Sequence, residues 1–208
     1  MLQINILEKK FGEKIIFENL NIHLEKNGLY GVVGKNGSGK TTFFKCLSYL
    51  TDFQGNILYK KKENFLDKIA FIPTEPYLYD YLSIKEFYKF YSLLLNISSC
   101  KSPFFQLETS LLIKDLSTGM RKKCYINAVF QKEYEIYIFD EPFNGLDMES
   151  VYELQKKIKE LAKKHIVFIS SHILEILNDC DFIFMFKDKK VSKILPENYS
   201  NIKTLLLE

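Results

Sequence analysis

Apolar and polar positions alternate at different periods along this chain, and the change of period marks out its elements. Residues 2–8 and 15–24 read as two strands that turn near Phe11-Gly12-Glu13-Lys14. In the second, Leu20, Ile22 and Leu24 alternate with Asn19, Asn21 and His23, the period of a half-buried strand, so His23 falls on the polar face. Leu29-Tyr30-Gly31-Val32-Val33 is a continuous apolar run, as in a buried parallel strand. A glycine-rich loop and a helix over about 41–49 are predicted next. Residues 56–59 and 68–72 read as a hairpin around a solvated basic turn, Lys60-Lys61-Lys62-Glu63-Asn64. Helical spacing returns over 83–96, with Ile84, Phe87, Phe90, Tyr91 and Leu94 as its apolar stripe. Residues 97–116 are less regular. A helix over about 118–131, a buried strand 136–139, a helix over about 148–163 and two strands, 166–169 and 182–186, complete the chain. Strands alternating with helices predict an α/β fold with a mostly parallel core sheet, preceded by an antiparallel β portion. No repeat or Pro/Ser-rich linker divides it, so residues 1–208 are expected to form one domain.

Composition narrows the function classes. Hydrophobic residues make up 47% of the 208, enough for a sizeable core, and charged residues 26%, which is not a disordered composition. The net charge of +3 is too small to suggest a nucleic-acid-binding stripe. Lys, Ile, Asn, Phe and Tyr are in excess, as in AT-rich coding, so the presence of a single arginine, Arg121, says little about function. No apolar run approaches the roughly 18–20 residues of a membrane span, and no signal-peptide pattern opens the chain. Cys46, Cys100, Cys124 and Cys180 show no CxxC spacing, so a zinc site or disulfide frame is not expected, and a reducing cytosol is the default. Glycine is scarce, nine in all, and five of them (Gly34, Gly37, Gly39, Gly119, Gly145) fall in the segments that carry the candidate chemistry.

Gly34-Lys35-Asn36-Gly37-Ser38-Gly39-Lys40-Thr41 fits G-x-x-x-x-G-K-[ST] between a buried strand and a helix. Glycines let the backbone curl until successive N–H groups face phosphate oxygens, and the helix N-terminus adds its positive end. Lys40 would reach the β- and γ-phosphates, and the Thr41 hydroxyl would take Mg²⁺, with Thr42 following in the same turn. Ile136-Tyr137-Ile138-Phe139-Asp140-Glu141 is a buried strand ending in two carboxylates. Acids at the C-terminal end of a parallel strand sit where open α/β sheets bind ligands. Asp140 would hold Mg²⁺, usually through water, and Glu141 would polarise a water for in-line attack on the γ-phosphate. The adjacent Glu favours hydrolysis over kinase chemistry, which must keep water away.

With these motifs in order, the chain resembles an ATP-binding cassette (ABC) ATPase, the nucleotide-binding subunit of a transporter. Leu116-Ser117-Thr118-Gly119-Met120 is similar to the family signature, followed by Asp140-Glu141, the loop Asn144-Gly145-Leu146-Asp147, and Ser170-Ser171-His172. The resemblance implies a P-loop fold with a helical subdomain inserted at about 75–116. It implies that Phe11 stacks on adenine and that His172 touches the γ-phosphate and the attacking water. It also implies that Ser117, Thr118, Gly119 and Met120 act on the ATP of an opposing subunit, with Asp147 at the seam, so that two chains sandwich two ATPs. Ser117 is itself a good helix N-cap, and Asp147 has a plain alternative as the cap of the following helix. The implied partners are a second cassette subunit, a homodimer being expected, and an integral membrane permease. The implied location is the cytoplasmic face of the cell membrane. Met120-Arg121-Lys122-Lys123 resembles export-type cassettes more than import-type ones. Arg121 itself reads as part of a solvated helix face.

Three departures stand out. Thr74 occupies the place of the family's Gln, a shorter group toward Mg²⁺ and water. Thr118 replaces the first of two signature glycines. The segment between Thr74 and Leu116 is shorter than usual. Two further readings therefore stand beside the transporter ATPase: a soluble cassette ATPase without a transporter, and a nucleotide-binding regulatory subunit that barely hydrolyses.

Overall fold

The computed structural model describes residues 1–97, 102–172 and 174–201. Cys100 and part of the irregular 97–116 stretch lie outside the described residues. The N-terminal strands β1 (Leu2–Phe11) and β2 (Lys14–Leu24) pair antiparallel, and β4 (Gln54–Tyr59) joins the other edge of β1. The second sheet has six strands in the order β5 (Ile69–Ile72), β6 (Ile136–Asp140), β7 (Ile166–Ser170), β3 (Gly28–Gly34), β8 (Phe182–Lys187), β9 (Lys190–Ile194). Its first five strands are parallel, and β9 returns antiparallel on β8.

Side-chain alternation explains the layering. Successive residues of a strand point to opposite faces. Along β3, Leu29 and Val33 enter one core and Tyr30 and Val32 the other; along β6, Tyr137 and Phe139 divide in the same way from Ile136 and Ile138. One core lies between the two sheets, where Leu2, Ile4 and Phe17 meet Phe168 and Phe186 around α1 (Lys40–Leu47). The other lies under α4 (Met148–Ala162) and α5 (Leu174–Asn178). A third, smaller core joins α2 (Ile84–Leu94) to α3 (Thr118–Val129) through Phe87, Ile113 and Cys124.

α2 starts with a reciprocal capping box: the Glu86 N–H donates to Ser83 Oγ, and Glu86 Oε2 accepts from the Ser83 N–H at 2.8 Å. Its stripe differs from the expected one at the end, where Leu94 is exposed and Ser92 is buried. The expected hairpin of 56–59 and 68–72 does not form. These strands belong to different sheets, because Ile69–Ile72 finds its parallel partner in β6 while Gln54–Tyr59 edges β1. β9 was not anticipated from the sequence: of Lys190–Ile194 only Ile194 is buried, so the segment carries almost no apolar signal. Among the described residues no helix is long and apolar enough to cross a membrane.

Candidate nucleotide site

β3 ends at Gly34 and α1 begins at Lys40, so the loop between them lies at the C-terminal edge of the parallel sheet. Gly37 and Gly39 take φ of 79° and 107°, which L side chains rarely adopt. A methyl on Gly39 would also lie 2.8 Å from Ile16 Cγ2. No side chain caps α1, so its first N–H groups are left for a ligand. Lys40 folds back over the loop and donates to Gly34 O at 2.7 Å and Lys35 O at 3.3 Å. Burial pulls its pKa down, against the opposing pull of Glu141 and Asp140.

The carboxylates arrive on the neighbouring strand. Asp140 is buried, and both its oxygens accept hydrogen bonds at 2.7 Å: Oδ2 from the Thr41 hydroxyl and Oδ1 from the Ser170 hydroxyl. Ser170 Oγ in turn accepts from the Glu141 N–H at 2.9 Å. This relay fastens β6 to β7 and to the first turn of α1. Glu141 itself sits at φ 48°, a left-handed conformation that costs a non-glycine residue about 1–3 kcal/mol unless its surroundings enforce it. Its side chain is 11% exposed and has no well-aligned donor on Oε1; His172 Nε2 lies 3.2 Å away, on a ring that is 64% exposed. Burial raises the Glu141 pKa, partly offset by His172 and Lys40.

A cleft of about 380 Å³ gathers Asn36, Gly37, Gly39, Lys40, Thr41 and Thr42 from the loop, and Thr74, Asp140, Glu141 and His172 from the strand ends. Ile16, which the sequence did not single out, and Asn144, the first residue of the Asn144–Asp147 loop, complete its walls. Ser38 Oγ, under the loop, is enclosed without a hydrogen-bond partner. The chemistry fits Mg²⁺, since a hydroxyl and a carboxylate held together are hard oxygen donors of the kind that ion takes. It fits a polyphosphate equally, with curled backbone, ammonium and helix end on one side of the cleft.

The remaining candidates lie elsewhere. Phe11 is not part of the cleft wall; its ring is 52% exposed, and the buried Lys9 holds its ammonium 4.1 Å from the centroid. Ser117 caps α3, accepting from the Met120 N–H at 3.2 Å. Thr118, Gly119 and Met120 open that helix outside the cleft, Thr118 and Gly119 lying against Gly145 and Met120 against the α2–α3 core. A methyl on Gly119 would run into the Gly145 carbonyl, and Gly145 turns at φ 81°. Asp147 does cap α4, accepting from the Ser150 N–H at 2.9 Å, and it also pairs with Lys123 of α3 at 2.6 Å. Lys123 and the capping N–H hold its carboxyl well below the usual range. The solvated place expected for Arg121 does not hold. Its side chain is 29% exposed and donates to Asp80 Oδ1 at 2.9 Å and Ile113 O at 3.0 Å.

Comparison with known proteins agrees with this geometry. The family model described as "ABC transporter" matches residues 17–144. The lantibiotic transport ATP-binding protein SrtF of Streptococcus pyogenes is 32% identical over 99% of this chain and 94% of its own length. The bacitracin transport ATP-binding protein BcrA of Bacillus licheniformis is 30% identical over 91% of this chain and 68% of its own. A solved ATP-binding subunit of an ABC transporter superposes with a TM-score of 0.86 at 24% identity, covering 99% of this chain and 94% of that one. A dimeric ATP-binding cassette with ADP and Pi superposes with a TM-score of 0.81 at 18% identity, covering 94% and 99%. The chain belongs to the ABC transporter family, as do these relatives, which are named as its ATP-binding proteins.

Proposed function

We propose that this chain is the ATP-hydrolysing subunit of a transporter, closing as a dimer around two Mg-ATP to drive a separate membrane permease. The observation that carries the reading is the shared cleft: the curled loop, Lys40, Thr41, Asp140, Glu141 and His172 all face one volume. The loop N–H groups and Lys40 bind the phosphates. Thr41 and Asp140 would hold Mg²⁺, which would supply charge neutralisation for the phosphates. Glu141, whose Oε1 has no hydrogen-bond partner among the described residues, accepts a proton from the attacking water, and His172 orients that water and the γ-phosphate. Ser117 and the N-terminus of α3 serve the ATP of the opposing chain.

The permease meets the segment before α2, where Tyr77, Tyr79 and Tyr81 are exposed beside Leu82 and Phe90. The location is thus the inner face of the membrane. Relatives named for lantibiotic, bacitracin and SkfA peptide transport support an exporter of peptide-class cargo.

The test is Glu141→Gln. It is expected to abolish steady-state phosphate release, by at least about a hundredfold, and to elute as a dimer from gel filtration with Mg-ATP. A variant that stays monomeric with ATP overturns the sandwich. Thr74, shorter than the family's Gln, favours the weakly hydrolysing alternative; parent turnover that vanishes in Lys40→Ala excludes it.

A further inference from the structure

Lys122 is the buried cation of α3. It is 2% exposed, in a helix whose neighbouring Arg121 and Lys123 reach partly exposed partners. An ammonium is costly to bury unless it is hydrogen-bonded and close to opposite charge. Here Nζ donates to the Glu141 carbonyl oxygen at 3.0 Å. Asp140, Glu141 and Glu75 lie close enough to offset part of the burial that lowers its pKa.

The carbonyl it holds is an unusual one. Glu141 is in the left-handed region and precedes Pro142. The peptide between them has no N–H, so only its oxygen can fix its orientation. On the other side of Glu141, the N–H is tied to Ser170. Among the described residues, the further backbone donor to the Glu141 oxygen is the Asn144 N–H, at 3.4 Å. Lys122 is therefore the short restraint on the exit side of a strained residue, and it comes from a helix that contributes nothing else to the cleft.

We infer that Lys122 is a positioning residue for hydrolysis: its bond to the Glu141 carbonyl holds the backbone twist that aims the Glu141 carboxylate into the cleft beside His172. This rests on the reading of Glu141 as the proton acceptor. The phosphate loop binds nucleotide without Lys122, so losing the bond disorders the carboxylate and leaves ATP affinity intact.

The experiment measures kcat and KM for Mg-ATP by phosphate release in the full chain. Lys122→Met keeps an unbranched side chain, one bond shorter, and removes the donor; Lys122→Gln has the same reach as Met and keeps a neutral donor. Melting curves establish that each variant is folded, and Glu141→Gln is run alongside. The expected result is a kcat lower by at least about tenfold in Lys122→Met with KM within about twofold, and more activity in Lys122→Gln than in Lys122→Met. A folded Lys122→Met with parent kcat overturns the inference, as does a KM that rises by the factor kcat falls. If Lys122→Met does not fold, Lys122→Gln decides: a kcat loss of at least about threefold at unchanged KM supports the inference, and parent kcat overturns it. A dead Glu141→Gln beside an active Lys122→Met refutes this inference alone. An active Glu141→Gln refutes the proton-acceptor reading, and this inference falls with it.

Discussion

At Glu141 the needs of folding and of chemistry oppose each other. Its pKa is raised by burial, so the folded chain holds this proton more tightly than the unfolded chain does. Protonated Glu141 is well accommodated below the carboxylate range; as pH rises through the raised folded value, that contribution is lost and the ionised group becomes a stability cost. Replacing it with neutral Gln removes the cost. Glu141→Gln is expected to stabilise the nucleotide-free protein by about 1 kcal/mol, or about 2–4 °C for a chain of this size, in a melt at neutral pH. The same raised value predicts that kcat/KM falls on acidification at a higher pH than an ordinary carboxylate would give. A destabilised Glu141→Gln would show instead that the carboxylate is satisfied in the free protein. His172, 3.2 Å away and largely exposed, is free to adjust as nucleotide enters.

Among the elements, α3 makes a close backbone approach to the Asn144–Asp147 loop at Gly119. Any side chain at position 119 meets the Gly145 carbonyl, and backbone cannot yield as the end of a flexible side chain can. Gly119→Ala is expected to cost about 1–3 kcal/mol, read as a lower midpoint in thermal or urea unfolding. Thr118 causes no comparable conflict, its methyl standing 3.5 Å from where a side chain on Gly145 would begin. Much of this was legible in the chain. The strand–loop–helix around Gly34–Thr41 and the strand ending in Asp140-Glu141 are contiguous, and local pattern alone locates them. Pairing between distant segments was not legible. Four apolar residues, 69–72, do not say which sheet they join, and Ile136–Asp140 decides it from more than sixty positions away. Lys122 was equally hidden, because a lysine between Arg121 and Lys123 on a helix gives no sign of being the one that turns inward. Phe11, named by resemblance, ends β1 with an exposed ring, and Ile16, a hydrophobic residue in an alternating strand, lines the cleft.

Across the whole molecule, α3 joins three places. Arg121 ties it to Asp80 in the tyrosine-rich segment, Lys122 to Glu141, and Lys123 to Asp147. The segment proposed to face the permease, the proposed proton acceptor and the loop proposed to lie at the dimer seam are thus attached to consecutive residues of one helix. Ser117, at the front of that helix, is proposed to act on the other chain's ATP. In a dimer, then, neither site is autonomous, and the composition of a mixed population becomes a readout. When parent and Glu141→Gln chains are mixed and allowed to exchange, independent sites give turnover that declines in proportion to the parent fraction. Interlocked sites give turnover that follows the square of that fraction, so that an equal mixture keeps about a quarter of the activity rather than about a half. The fastening of a single helix at three successive residues thus predicts the curvature of a dilution plot, and it predicts that one defective copy silences a sound one.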